Sequence, residues 1–370
     1  MHKFAGYMEF KSGFFHKKSR PCVIAGPCSA ESESQVLHTA EALAANEHVH
    51  IFRAGIWKPR THPGHFEGSG DKALKWLAKV KTKTGLFPAT EVITPEHAEK
   101  AIEAGIDVLW IGARTTGNPI YVQALADVLK GTQVKLMVKN PLHPDINLWC
   151  GAIQRFYKSG IKDIAAIHRG FYPFEKTAFR NLPLWEIPID LQLKNKNLPV
   201  FSDPSHIAGK TSHIATIAQQ AMDLDMHGLM LEVHHDPESA LTDKEQQLHP
   251  EELNQLLDQL EIRKRKVKDH VYNELIMQYR KEIDQVDYQL LDLLKQRQDL
   301  VEEIAVHKQN MHVNILQLKR WENIIKTRLD YAAKNGLSKS FILKLLQAIH
   351  KEAIHIQTKI MQSSDFQDDE

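Results

Sequence analysis

The chain has 370 residues, 25% of them charged, and a formal net charge of +1. That balance excludes an overall field drawing the chain to nucleic acid or a membrane, and 3 cysteines make no disulfide framework. No stretch approaches the about 20 apolar residues of a membrane span or reads as a signal peptide, so a soluble cytoplasmic protein with free Cys22, Cys28 and Cys150 is expected.

Eight short apolar runs predict strands at Cys22 to Gly26, Val49 to Ala54, Leu86 to Val92, Val108 to Gly112, Lys135 to Lys139, Ile164 to His168, Pro199 to Ser202 and Gly228 to Val233. Amphipathic stretches such as Glu31 to Ala45 and Asp71 to Val80 separate them, which implies parallel βαβ units. Most runs end in a residue able to hold a metal or an anion: Cys28, Arg53, Glu91, Arg114, Lys139, His168 and Arg169, His206, and Glu232. In a (β/α)8 TIM barrel, the C-terminal strand ends converge on one face, and that face carries the chemistry. A doubly wound open sheet would cluster site residues at one switch point instead. The fold expected is therefore α/β, a TIM barrel over residues 1–260.

A charged, glycine-free stretch, Glu261-Ile262-Arg263-Lys264-Arg265-Lys266-Val267-Lys268-Asp269, marks a linker expected over 261–274. Between 275 and 362 there is no proline and 1 glycine, Gly336. Apolar residues recur at Tyr279, Ile283, Val286, Leu290, Leu293, Leu300 and Ile304, close to a heptad stripe. Two shorter helical patterns follow, about 315–334 and 338–362. Residues 275–370 thus read as a small all-α domain. Its first helix has more apolar face than two short helices can cover, so a homodimer through this domain is expected, within a dimer or a larger homo-oligomer.

Gly26-Pro27-Cys28, Phe52-Arg53-Ala54-Gly55-Ile56-Trp57-Lys58-Pro59-Arg60-Thr61, Ile111-Gly112-Ala113-Arg114, Ser202-Asp203-Pro204-Ser205-His206 and Leu231-Glu232-Val233-His234 together resemble 3-deoxy-D-arabino-heptulosonate 7-phosphate (DAHP) synthase, type I beta. The resemblance spans roughly 22–250 and implies condensation of phosphoenolpyruvate with erythrose 4-phosphate. It places Arg53 and Lys58 on the phosphoenolpyruvate carboxylate side, and Arg114, Lys139 and Arg169 on its phosphate. Arg60 and Thr61 meet the erythrose 4-phosphate end, and Glu91 and His168 join the catalytic set. The chemistry agrees, because two phosphates and a carboxylate need several cations, and guanidinium groups match their geometry.

The same resemblance gives Cys28, His206, Glu232 and Asp243 as ligands of one divalent ion per barrel. Mixed sulfur, nitrogen and oxygen donors suit Mn²⁺, Fe²⁺, Zn²⁺ or Co²⁺, with Mn²⁺ the ion expected. Wording departs from the commoner family pattern at His62, His65, Thr115 to Pro119 and His168. The short stretch before Cys22 is expected to omit the N-terminal ferredoxin-like domain of some relatives. A sister synthase acting on arabinose 5-phosphate typically has Lys-Ala-Asn-Arg where this chain has Lys58-Pro59-Arg60-Thr61. A catalytically silent binding scaffold is the alternative from another class.

Residues 275–362 resemble the all-helical chorismate mutase. Arg297 lies in the apolar seam between Leu293 and Leu300, where a charge is costly unless paired, and a dicarboxylate would pair it. The resemblance assigns Arg280, Arg297 and Arg320 to the carboxylates of chorismate, and Lys308 and Gln357 to its breaking ether oxygen, with Arg280 coming from the partner subunit. Trp321 stands where the family often has glutamate, and Gln317 where it often has aspartate. The domain is also expected to give feedback inhibition of the barrel by prephenate or chorismate; alternatives are a structural helical hairpin, or a domain that only senses chorismate or prephenate. The expected protein is a bifunctional shikimate-pathway enzyme.

Overall fold

A computed structural model describes residues 8–10, 13–15, 21–59, 64, 66–175, 177–264 and 267–362. The chain divides into two units, Met1–Arg265 and Lys266–Glu370.

The first unit is a closed barrel of eight parallel strands. They are β1 (Cys22–Gly26), β2 (Val49–Arg53), β3 (Phe87–Val92), β4 (Val108–Ile111), β5 (Lys135–Lys139), β6 (Ile164–His168), β7 (Val200–Ser202) and β8 (Gly228–Glu232). Pairing of Gly228 with Cys22 and of Glu232 with Gly26 closes the ring. Each expected strand is present, with ends moved by one residue at most. The open-sheet alternative is excluded by that closure.

Alternation along the strands builds two cores. Inward residues such as Ile24, Ile51, Ala89, Trp110, Met137, Ile167 and Met230 fill the barrel. Their neighbours Val23, Phe52, Leu109, Val138, Ala166 and Leu231 pack outward under the helices. Successive side chains on a strand point to opposite faces, so the parity of a residue decides which core it joins. Continuing the inward parity past the apolar residues brings Arg53, Glu91, Lys139 and Glu232 to the C-terminal mouth. At the other end Phe15 packs edge-on against Phe201, their ring centroids 6.0 Å apart. Gly26 is required by a close approach: a Cβ there would lie 2.1 Å from the Arg53 carbonyl oxygen.

Helices start where the sequence offers caps. Ser32 accepts from the Gln35 amide to open α1 (Glu33–Ala44), and α2 is Lys72–Thr84. Thr94 opens α3 (Pro95–Glu103), and Asn118 opens the helix Pro119–Val128. Asp203 caps the short helix Pro204–Ala208 by accepting from the His206 amide, which sets His206 at the mouth.

The second unit comprises three long helices, His270–Asn310, Leu318–Lys334 and Lys339–Gln362. The first two pack on the third. Asp269 accepts from the Tyr272 amide at 3.0 Å and starts the first helix. Residues 270–274, expected as linker, are therefore its opening turns. Of that 41-residue helix only Val301 and Ala305 are buried in the single chain. Tyr279, Ile283, Val286, Leu290 and Leu293 remain more than half exposed along one stripe.

Candidate active site and metal centre

A cavity of about 550 Å³ opens at the C-terminal ends of the strands. Cys28, Arg53, Lys58, Glu91 and Arg114 line it, as do Lys139, Arg169, His206 and Asp243. Nine residues singled out in the sequence thus meet at one mouth. Arg60 and Thr61 lie outside the described residues.

The acidic and sulfur groups cluster tightly. Ligand atoms of Cys28, Glu232 and Asp243 all lie within 4.8 Å of one another. Cys28 Sγ is 3.2 Å from Asp243 Oδ2. Glu232 is fully buried beneath the cavity, and its Oε1 accepts from Arg53 Nη1 at 2.6 Å and lies 3.7 Å from His206 Nε2. His206 Nδ1 is 2.8 Å from Asp203 Oδ2, a contact that leaves Nε2 to face the cluster. Burial and Glu232 push the Cys28 thiol up to about 12. Burial works against the Glu232 and Asp243 carboxylates. His206 and Arg53 still hold Glu232 low, and Arg180 and His206 hold Asp243 low. The donor set fits one divalent ion: a thiol, an imidazole with one nitrogen already held, and two ionised carboxylates. A metal ion bound there would displace the thiol proton.

The cations are held apart and aimed. Lys139 Nζ is 3.0 Å from Asp203 Oδ2, and Arg53 lies 5.0 Å over the Trp110 ring. Lys58 Nζ donates to the Cys28 carbonyl and, at 3.2 Å, to its sulfur. Arg169 donates to Asn181 Oδ1 at 2.7 Å. Burial, with Arg180 and Arg114 nearby, pulls Arg169 down to about 10, still charged at neutral pH.

Glu91 is seated by a glycine. A Cβ on Gly112 would fall 1.9 Å from Glu91 Oε1. The obstacle is the tip of a flexible side chain, and Gly112 has an ordinary φ of −72°. Gly112→Ala will therefore displace the Glu91 carboxylate and leave the barrel intact. Circular dichroism and melting should stay near wild type, while kcat/KM for condensation falls about tenfold or more. Wild-type kinetics would remove Glu91 from the reaction.

The structure places His168 away from the cavity. It closes β6 with outward parity and is fully buried among Trp149, Phe171 and Trp185, at ring distances of 6.5, 5.7 and 5.1 Å. It does not line the cavity. Among the described residues neither ring nitrogen finds a hydrogen-bond partner of good geometry, and burial pulls its pKa from 6.5 to about 3. The unfolded chain takes up this proton near pH 6.5 and the folded chain only near 3. The unfolded state thus binds more protons in that window, and stability falls as pH drops through it. His168→Phe should flatten the dependence of denaturation midpoint on pH between those limits. An unchanged slope would count against the assignment.

Several mouth residues carried no sequence signal of their own. Arg180 and Asn181 come from the loop after β6, and Gln246 from the loop after β8. Asp203 stood in a quoted motif without a role, although its spacing of three residues from His206 is a helix-cap spacing.

In the helical unit, Lys308 Nζ donates to the Ile315 carbonyl at 2.6 Å. Gln357 is buried, with its Oε1 lacking a partner among the described residues. Arg297 is half-buried, and its charge adds to burial in lowering the His350 imidazole. His350 stacks on Trp321, centroids 4.0 Å apart and planes 9° from parallel. Arg320, next to Trp321, is exposed. Arg280 and Arg297 lie 17 residues apart on one helix, which is about 25 Å at 1.5 Å per residue. One chain does not bring Arg280 to the others.

Comparison with known proteins adds family and fold. The DAHP synthetase I family profile matches residues 11–269. The chain belongs to the DAHP synthetase I family. The chorismate mutase type II profile matches residues 279–358, so a chorismate mutase region follows the DAHP synthase barrel. The chain is 30% identical over 255 residues to phospho-2-dehydro-3-deoxyheptonate aldolase from Thermotoga maritima, a match covering 69% of this chain and 71% of that protein. It is also 25% identical over 248 residues to 2-dehydro-3-deoxyphosphooctonate aldolase from Nitratidesulfovibrio vulgaris, covering 61% of this chain and 85% of that one. The crystal structure of the Thermotoga maritima DAHP synthase superposes with a TM-score of 0.58 at 30% identity, covering 64% of this chain and 66% of that chain. The DAHP synthase barrel and the mutase region make this a chain of two enzyme families. None of its described helices is long and apolar enough to cross a membrane.

Proposed function

We propose that the barrel condenses phosphoenolpyruvate with erythrose 4-phosphate to DAHP and phosphate, and that the helical unit converts chorismate to prephenate and reports those ligands to the barrel. The observation that supports the first reading most is the convergence of Arg53, Lys58, Arg114, Lys139 and Arg169 on one cavity beside the Cys28, Glu232 and Asp243 cluster. Five cations around one mouth suit a substrate pair with two phosphates and a carboxylate.

In this reading Arg53 and Lys58 hold the phosphoenolpyruvate carboxylate, and Arg114, Lys139 and Arg169 hold its phosphate. Arg60 and Thr61 meet the erythrose 4-phosphate end. Cys28, His206, Glu232 and Asp243 hold a divalent ion, Mn²⁺ by preference. When bound, that ion supplies Lewis-acid polarisation of the aldehyde oxygen. C3 of phosphoenolpyruvate attacks the aldehyde carbon, water adds at C2, and phosphate leaves. The cations neutralise the enol phosphate as it approaches and hold the two reactants in line. Phosphate release should require both substrates. Equal or better turnover with arabinose 5-phosphate would favour the sister synthase reaction.

The mutase reading needs no covalent catalyst. Arg297, Arg320 and the partner's Arg280 fold chorismate by its carboxylates, while Lys308 and Gln357 stabilise charge on the ether oxygen. The exposed apolar stripe of the first helix supports a dimer that would supply Arg280. The Trp321–His350 stack favours a second reading, in which this unit mainly senses chorismate or prephenate.

Feedback follows if ligand at the helical site binds one arrangement of the chain more tightly than the active one, with coupling of about 1–3 kcal/mol. Prephenate should slow condensation by the full chain. It should not slow Arg297→Ala or a chain ending at residue 265. Equal inhibition of the shortened chain would put the effector site in the barrel.

A further inference from the structure

We infer that Arg180 is a positioning residue that sets which oxygen of Asp243 and of Glu232 faces the metal-donor cluster. The inference rests on the metal reading above and concerns a residue that reading does not use.

Each carboxylate is split between two sets of partners. Asp243 Oδ2 lies by Cys28 Sγ at 3.2 Å, while its Oδ1 accepts from Arg180 Nη1 at 3.0 Å. Glu232 Oε1 lies by Arg53 and His206, while its Oε2 accepts from Gln246 Nε2 at 2.7 Å. Gln246 is itself gripped, because Arg180 Nη1 donates to its Oε1 at 2.7 Å. One guanidinium therefore holds one carboxylate directly and the other through a buried amide. A carboxylate with one oxygen tethered presents the other in a fixed direction.

Asp243 needs such a tether. It sits in a loop, at a φ of +47°, in the left-handed region that a non-glycine residue rarely adopts. Arg180 is in turn fixed to the element that carries His206. Its amide donates to the Ala208 carbonyl at 3.2 Å, the Asn181 amide donates to Ile207, and Asn181 Nδ2 donates to the His206 carbonyl at 2.7 Å. Gly209 makes room for it, since a Cβ there would lie 2.5 Å from Arg180 Cβ. Through Arg180, the loops after β6 and β8 and the short helix Pro204–Ala208 are referenced to one another. Both side-chain bonds of Arg180 leave one nitrogen, Nη1, whose two N–H directions the planar guanidinium fixes; a lysine keeps the charge but carries it on a freely rotating ammonium of shorter reach.

The test is a Co²⁺ titration of the full-length protein and of Arg180→Met, Arg180→Lys and Gln246→Leu. Visible absorption from Co²⁺ and charge transfer from the Cys28 thiolate report affinity and ligand geometry without turnover. Wild type should bind one Co²⁺ with a thiolate band. Arg180→Met should bind about 10–100-fold more weakly with an altered d–d spectrum. Arg180→Lys and Gln246→Leu should fall between. Wild-type affinity and spectrum in folded Arg180→Met would overturn the inference while leaving the metal reading standing. No thiolate band in wild type would overturn both. Should Arg180→Met fail to fold, Arg180→Lys and Gln246→Leu decide the question by the same two measurements.

Discussion

Cys28→Ser will lose condensation activity by about 100-fold or more, and chelation of the wild type will do the same until metal is restored. The argument rests on what the thiol experiences. It is fully buried, its sulfur contacts Asp243 and Lys58, and burial with Glu232 raises it to about 12. A thiol so placed is a neutral, inert group at physiological pH unless a cation takes its proton. Serine is nearly the same size and preserves the packing. Its hydroxyl, however, is far harder to ionise and is a poor ligand for a borderline ion. Fold and substrate cations should therefore survive while metal affinity collapses. The pH dependence has a definite sign: metal affinity rises with pH, because binding expels the thiol proton. Full activity of the chelated enzyme, or of metal-free Cys28→Ser, would refute a role for the ion.

Arg297→Ala will reduce chorismate turnover by about 100- to 1,000-fold, the loss typical of removing one donor aimed at developing charge. Burial alone lowers the Arg297 guanidinium, which makes no ion pair with another of the described residues. A half-buried charge in an apolar seam is a cost to folding, so alanine should leave melting unchanged or raise it. Turnover and stability should thus move in opposite directions, which a purely structural arginine would not do. Mixing supplies a second readout. Arg280 lies about 25 Å along the same helix from Arg297, so a site that used both would draw on two chains. Arg280→Ala and Arg297→Ala should each be inactive alone. Refolded together, they should regain about a quarter of the wild-type turnover, from the one intact site in each mixed dimer. No recovery would place Arg280 outside the site, and undiminished turnover in Arg297→Ala would place the site elsewhere.

The stripe from Tyr279 to Ile304 and the strand ends from Cys28 to Glu232 were legible in the sequence because both follow from backbone periodicity. A strand exposes alternate residues and a helix repeats every 3.6, so apolar spacing names the elements. Strand ends in a parallel barrel are forced to one face, which brought Arg53, Glu91, Arg114, Lys139 and Arg169 to one cavity. His168 and Arg169 show the limit of that reasoning. Adjacent in sequence, they differ in parity: Ile167 and Arg169 face inward, and His168 is turned into an aromatic shell. A shift of one residue reverses the face, and only the closed ring fixed the phase. The alternation through Ala165 and Ile167 was the signal that could have placed it.

Apolar periodicity determined the fold, and the chemistry-bearing residues at the strand ends determined the cavity and most of its charges. Tertiary structure alone decided how those charges are paired. Asp203 joins Lys139 to His206, and Gln246 joins Arg180 to Glu232, across sequence separations of 64, 3, 66 and 14 residues respectively. Lys139 and Glu232 end strands, but Asp203, Arg180 and Gln246 lie in the loops and short turns that follow strands, where no periodicity constrains the chain. An arginine in such a loop reads as a solvated charge. It becomes part of the site because the closed ring brings the loops after β6 and β8 to the same mouth.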